Sequence, residues 1–371
     1  MSSESKYSSP QLHTCFYLIF HTGFLNSTEI RLLDQALGYN ESYSYVIQVA
    51  VNNNFPCSLG TREFIKWLIG RQISLSKINI SSNSEWGGGF LRDRDLSKII
   101  EICPNMISCL LDSNIHLTDA SIGLLLGSCY NLQELSMRYM ARFNGSAFSM
   151  VTVMLPFLKI LDLRGCLFLE DKFIVPFTKQ IPNLSEIAFG DNQRITDTAI
   201  KALANNCNKL EVLHFERLIH VTDTSISLLV QQCPKLRSIT FNAVYNVRQK
   251  LITIKVLDFC PLLQVFILRT LDESFEIDND TVKHLVKVCP MIRQLHLYSE
   301  HILSRSLLTG TCIQVISNGL QMMESLRLDV NPSTSFEPLE LLVKRCSNIK
   351  CVDIRRNGGG IGDRWFYHVV K

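Results

Sequence analysis

An apolar signature of the form L-x-x-L-x-L, with leucine, isoleucine, methionine or phenylalanine at its anchors, returns about every 26 residues from Leu75 onward. Its clearest copies are Leu132/Leu135/Met137, Leu158/Leu161/Leu163, Leu184/Ile187/Phe189, Leu210/Leu213/Phe215 and Leu236/Ile239/Phe241. A segment this short cannot bury its own apolar face, so neighbouring copies must stack and share one continuous core. A solenoid is the expected result. Counted from the first anchor, units begin at Leu75, Met106, Leu132, Leu158, Leu184, Leu210, Leu236, Leu263, Ile292, Met323 and Ile349, which predicts eleven strands. The middle is regular, and three longer intervals put extra residues into loops at 85–90, 272–276 and 298–311.

Within a unit the apolar period changes from two to 3.6, the mark of a short strand followed by a helix. Ile195-Thr196-Asp197 leads into such a helix, with Ile200, Leu203 and Cys207 spaced for one face. The oxygen side chains of Thr and Asp suit the helix N-terminus, where the first N–H groups lack partners. Leu117-Thr118-Asp119 and Val221-Thr222-Asp223 repeat the pattern. Proline after cysteine, in Cys103-Pro104, Cys233-Pro234, Cys260-Pro261 and Cys289-Pro290, stops the helix before the next strand. Each unit therefore reads as strand, turn, capped helix, stop.

The 371 residues would suggest two or three globular domains, but a solenoid grows by adding units, so one repeat domain over 73–371 after a small N-terminal module over 1–72 is expected. Apolar residues at 46% and charged residues at 19% exclude a disordered chain. A net charge of +3 gives no electrostatic case for nucleic acid or an anionic membrane as partner; a protein partner is expected. The apolar run Cys15–Phe20 is far too short to span a bilayer, and the opening residues lack the basic flank of a secretory signal. Seven cysteines, Cys103, Cys129, Cys207, Cys233, Cys260, Cys289 and Cys346, each stand three residues before an anchor. One thiol per unit, separated by a layer of the stack, points to reduced buried cysteines and a cytoplasmic or nuclear protein.

Signals for chemistry are weak. Gly87-Gly88-Gly89 and Gly358-Gly359-Gly360 precede no Lys-Ser or Lys-Thr, so they read as loops rather than phosphate cradles. Cys-x-x-Cys pairs are absent and the histidines are scattered over different units, so neither a metal, a cofactor nor an enzymatic activity is expected.

The cysteine-proline-x-leucine turn, the strand Leu158-x-x-Leu161-x-Leu163-x-x-Cys166 and the helical half from Ile195-Thr196-Asp197 to Cys207 resemble the cysteine-containing leucine-rich repeats of F-box proteins. The resemblance covers about residues 75–357. It implies an α/β leucine-rich-repeat solenoid, a horseshoe with a parallel concave sheet, outer helices and a small helical N-terminal cap. Such proteins present substrates to an SCF-type ubiquitin ligase, which implies a Skp-type adaptor and a cullin as partners. Pro10, Leu18-Ile19-Phe20 and Leu25 fit the start of an F-box only with altered spacing, and its Val-Cys-x-x-Trp ending is missing. Residues 1–72 therefore read as a helical cap or a degenerate F-box-like module. The alternative is an adaptor or inhibitor scaffold that works without an F-box.

Residues between the anchors should face away from the core and form ladders about 4.8 Å apart. The partner-binding candidates are Glu134, Arg138, Tyr139, Asp162, Arg164, Glu186, His214, Glu216, Arg217, Arg269, His296, Tyr298, Arg327 and Arg355, with Ser136 and Asp329 in the same exposed set. Arginine and aromatic side chains are the usual energetic anchors of protein interfaces. Arg138, Arg164, Arg269 and Arg355 share one rung and invite an anion, although Gly190, Glu216 and Asn242 interrupt it. The tail 363–371 is expected to form a single closing helix over the last layer, unless further units follow.

Overall fold

The computed structural model describes residues 69–70, 72, 74–81, 91–244, 247–271, 274–301, 305–335, 337–356 and 364–368. Residues 1–68 of the N-terminal module, the Trp86 and Phe90 insertion and the second glycine run lie outside the described residues. The chain divides into two units, Met1–Asp162 and Leu163–Lys371.

All eleven expected strands form, each opening two residues after its anchor. In the first unit they are β1 (Lys77–Asn79), β2 (Ser108–Leu110), β3 (Glu134–Ser136) and β4 (Ile160–Asp162), parallel and paired in that order. The second unit continues with β5 (Glu186–Gly190), β6 (Val212–Glu216), β7 (Ser238–Asn242), β8 (Val265–Thr270), β9 (Ser274–Asp278) and β10 (Gln294–Ser299). It ends with β11 (Arg305–Leu307), β12 (Ser325–Val330), β13 (Cys351–Arg356) and β14 (Arg364–His368). Its main sheet runs β5-β6-β7-β8-β10-β12-β13 in parallel.

Three features depart from the periodic pattern. The tail is a strand, not a helix: β14 pairs antiparallel with β13, so that Trp365 lies opposite Ile354. Its aromatic run has higher strand than helix preference, and β13 offers an unpaired edge for it to satisfy. The insertions near 272–276 and 298–311 are not plain loops, because β9 and β11 pair with each other in a second small parallel sheet. The unit starting at Leu132 keeps only a four-residue helix, Ser146–Ser149, entered through Gly145 at φ 96°. It lacks the Thr-Asp start, and its β-branched run Val151-Thr152-Val153 opposes helix extension.

Elsewhere the Thr-Asp pair does two jobs. Thr118, Thr196 and Thr222 each cap their own helix, the hydroxyl oxygen accepting from the N–H of Ala120, Thr198 and Thr224 at 3.2–3.3 Å. The aspartate instead reaches the next layer. Asp197 accepts from Thr222 N at 2.7 Å, Thr222 Oγ1 at 2.7 Å and Ser225 Oγ at 2.6 Å, and Asp93 does the same with Thr118 and Ser121. Burial works against the charge of Asp197, but the bonds from Ser225 and Thr222 outweigh it and hold the carboxyl below its ordinary range. Its contribution is thus complete above the unfolded-state value and is lost as pH falls through the folded one. Asn279 repeats the link in amide form, donating to Thr309 Oγ1 at 2.9 Å and accepting from Thr309 N at 3.1 Å. Asp197→Ala removes the acceptor of the Thr222 N–H and leaves the fully buried Ser225 hydroxyl only its bond to the Thr222 carbonyl at 3.2 Å. A loss of about 2–3 kcal/mol in urea unfolding is expected, with Asp197→Asn costing less. Equal midpoints for Asp197→Ala and wild type would show that the ladder does not hold layers together.

The periodic cysteines end the helices and link consecutive layers. Five Sγ donate to the carbonyl of the equivalent residue one layer back: Cys129 to Cys103 at 3.7 Å, Cys207 to Ile181 at 3.6 Å, Cys233 to Cys207 at 3.6 Å, Cys289 to Cys260 at 3.5 Å and Cys346 to Leu320 at 3.5 Å. Cys103 Sγ accepts from Leu75 N at 3.2 Å. All are buried free thiols, and burial pushes Cys207, Cys233 and Cys260 up to about 12, far from reactive thiolate. Between strand and helix side of the layer, Phe189, Phe215 and Phe241 form a fully packed spine with ring centroids 6.2 and 6.1 Å apart.

Candidate functional site

Because strand side chains alternate between faces, the second, fourth and sixth residues after each anchor stand on the sheet face away from the helices. Register aligns them into rungs. In the second unit one rung reads Glu186, Val212, Ser238, Val265, Gln294, Ser325, Cys351, and the next Ala188, His214, Thr240, Ile267, His296, Arg327, Asp353.

Strand exits share a backbone device that periodicity alone did not reveal. The seventh residue after the anchor is left-handed in Ser113, Tyr139, Asp191, Arg217 and Ala243, at φ 45–60°, and in Gly165 at φ 75°. Non-glycine residues rarely accept this region, so hydrogen bonds at the exit must hold it. In the first unit Asp112 supplies them, accepting from Ser136 Oγ at 2.5 Å, Arg138 N at 2.9 Å and Arg138 Nε at 2.8 Å. Arg138 also lies 3.9 Å from Asp162, and Glu134 accepts from Ser108 Oγ at 2.6 Å. Ser136 is consequently buried, contrary to its place in the exposed set, whereas Tyr139 stands 52% exposed on the turn.

The second unit begins its face with Arg164, whose aliphatic stem occupies the space above Gly190: a Cβ there would meet Arg164 Cγ at 3.0 Å. Glu186 and His214 approach to 3.9 Å. Arg217 was expected to project from the strand. It lies on the left-handed turn and binds Asp191 through two nitrogens at 2.6 and 2.5 Å, and Glu216 at 2.5 Å. From Glu216 the chain of bonds continues through Asn242 at 3.1 Å to Arg269 at 2.7 Å, and Arg269 closes an ion pair with Glu300.

At β10–β13 the face changes character. Tyr298 was expected as an exposed anchor and is instead 6% exposed, with the Arg327 guanidinium stacked 3.7 Å over its ring and Arg355 at 5.5 Å. Both arginines turn toward one carboxylate, Asp353, at 3.2 and 3.9 Å. Asp329, also placed in the exposed set, is fully buried and accepts from Ser299 N at 2.7 Å; burial outweighs that bond and pushes its carboxyl up to about 7. His296 meets Ser325 Oγ at 2.8 Å, and burial followed by the Arg327 charge lowers it to about 4, so it is neutral at physiological pH. The rung of arginines is not a free anion cradle, since Arg138 pairs with Asp112 and Arg269 with Glu300.

Charged side chains dominated the expected site, and that emphasis passed over its apolar part. Val212, Val265 and Ile267, with Ser238 and Thr240, form a half-buried uncharged strip on β6–β8. The signal was present as β-branched residues in the variable positions of L-x-x-L-x-L, where solvent-facing strands usually carry polar groups.

No family model matches the chain. Among solved structures, a chain from the crystal structure of the Rad7 and Elc1 complex in yeast aligns over 94% of each chain at 14% identity, with a TM-score of 0.50. The leucine-rich repeat-containing protein LegL7 from Legionella pneumophila aligns over 82% of this chain and 86% of its own at 15% identity, with a TM-score of 0.41. Parallel strands one layer apart, each returned by a helix and most closed by a buried cysteine, complete the assignment. The fold is a leucine-rich-repeat solenoid. A leucine-rich-repeat sheet holds its open face by backbone pairing on both sides of each strand, so the rungs are set before any partner arrives. Among the described residues, no helix is long and apolar enough to cross a membrane.

Proposed function

We propose that this solenoid is a non-enzymatic recognition scaffold that binds a protein partner on the open face of its sheet. The observation that carries the reading is the makeup of the second unit's face. An uncharged β-branched strip at Val212, Val265 and Ile267 is flanked by ladders of arginine, tyrosine and carboxylate already joined to one another. Apolar centre, polar rim and arginine-aromatic anchors are the composition of protein interfaces. Side chains ordered in advance lose little entropy on docking. Balanced charge disfavours nucleic acid as the partner.

The finer reading is substrate recognition in an SCF-type ubiquitin ligase system, leading to proteasomal degradation, in the cytoplasm or nucleus. Its support is the cysteine-containing repeat pattern, together with a structural neighbour taken from a two-protein complex, Rad7 with Elc1. Affinity purification of the full chain is expected to recover a Skp-type adaptor and a cullin, and deletion of 1–72 to abolish their recovery. Their absence would move the assignment to an F-box-independent adaptor or inhibitor scaffold. In either case Ile267→Arg is expected to weaken partner capture by about tenfold or more without shifting thermal unfolding, because it places a solvated charge in the apolar centre. Undiminished capture would remove the open face from the function.

A further inference from the structure

We infer that the β8–β13 corner of the open face receives an acidic, aliphatic segment of its protein partner, with the partner's carboxylate meeting Arg355 and Arg327 and its aliphatic side chains lying on Val265 and Ile267. The inference rests on the protein-recognition reading above and names the chemistry of the segment recognised.

Register carries the first part. Ile267, His296, Arg327 and Asp353 lie side by side on β8, β10, β12 and β13, so one line across four strands passes from an apolar to a cationic surface. Strands about 4.8 Å apart put Ile267 and Arg327 about 10 Å from each other, the span of three residues in an extended peptide at about 3.3 Å each. His296, neutral between them and bonded to Ser325, adds no competing charge.

Charge carries the second part. Arg269 is balanced by its ion pair with Glu300. Arg327 and Arg355, by contrast, share the single carboxylate of Asp353, at 3.2 and 3.9 Å. Asp329 lies in register beside Arg355, but burial pushes its carboxyl up to about 7, so at neutral pH it is not a full second counter-charge and the two guanidiniums exceed the ionised carboxylate facing them. Both arginines are held in place, Arg327 by the Tyr298 ring, and both side chains remain 24% exposed. A partner carboxylate completes this arrangement bidentately at small entropic cost. The uncharged strip beside it offers nothing to a bare phosphate or a lipid headgroup, whereas a peptide with alternating aliphatic and acidic side chains matches both halves.

The test is selection of a phage-displayed random peptide library on the full chain, followed by fluorescence anisotropy with one enriched synthetic peptide. Enriched peptides are expected to carry Asp or Glu within about three residues of an aliphatic side chain. Affinity should fall about tenfold or more with Arg355→Glu, fall less with Arg355→Gln, and fall with Ile267→Arg, while a lysine version of the peptide regains binding to Arg355→Glu. Arg355→Gln keeps the stem and guards against a folding artefact, and thermal unfolding of each variant checks it. Enriched peptides without acidic residues, or binding that survives Arg355→Glu while Ile267→Arg destroys it, would overturn the acidic-segment inference and leave the face reading intact. Binding indifferent to both substitutions would overturn the face reading as well.

Discussion

Leu213→Asp is expected to abolish the cooperative unfolding transition of the layers around β6. Leu213 is fully buried and lies in register with Ile187 and Ile239 on the adjoining strands, one position from the layer of Phe189, Phe215 and Phe241. A carboxylate there has neither water nor a partner, and its desolvation is comparable to the whole stability of a domain, about 5–15 kcal/mol. Stability in a repeat array is largely the sum of unit and nearest-neighbour terms, so the damage spreads to the layers on either side. Leu213→Ala is the graded control: it removes packing without adding charge and should cost about 2–5 kcal/mol. Circular dichroism across a urea gradient measures both. A wild-type midpoint for the aspartate variant would mean that Leu213 does not face the stack.

The second large effect is a pH dependence traced to one side chain. Asp329 is pushed up to about 7 by burial, against an ordinary value of 3.8, with Arg327, Asp353 and Glu300 as the charged groups around it. An acid whose folded value lies above its unfolded one binds its proton more tightly when folded. Its favourable contribution is therefore complete below pH 4 and is lost as pH rises toward and through 7. A shift near three units corresponds to a few kcal/mol at most, at ~1.4 kcal/mol per unit. Asp329→Asn keeps an oxygen for the Ser299 N–H and removes the titration. The melting temperature of Asp329→Asn should exceed that of wild type at pH 8, and the gap should narrow at pH 5. His296 runs the other way: lowered to about 4, it favours the folded state above its unfolded value and withdraws that support as pH falls. It is present in both proteins, so the comparison isolates Asp329. A gap independent of pH would show that Asp329 stays ionised in the fold.

Strand starts, thread of cysteines and threonine caps were all legible in the chain, because each depends on contacts inside a unit or on a position repeated in every unit. An anchor such as Leu184 predicts β5 since the period-two pattern after it permits little else. Thr196 predicts a cap because the groups it satisfies are two residues away. Asp197 was read as a second cap and proved to be a tie between layers, since its partners Thr222 and Ser225 stand 25 and 28 residues further on.

The candidate face was legible as a set of positions but not as a set of states. Tyr298, Asp329 and Ser136 occupy outward positions of their strands, and the pleat alone would expose them. They are covered because Arg327 stacks on Tyr298, Ser299 donates its N–H to Asp329 and Asp112 draws in Ser136. None of these partners is recognisable from the pattern of a single unit. The tail likewise became β14 because β13 presented an open edge, a condition that exists only after the last parallel strand has formed. Period and polarity, written locally in each unit, determined the layered architecture of this chain. Which outward side chains are buried, paired or left with unbalanced charge was decided by neighbours one layer away, because electrostatics and packing act through space and not along the backbone.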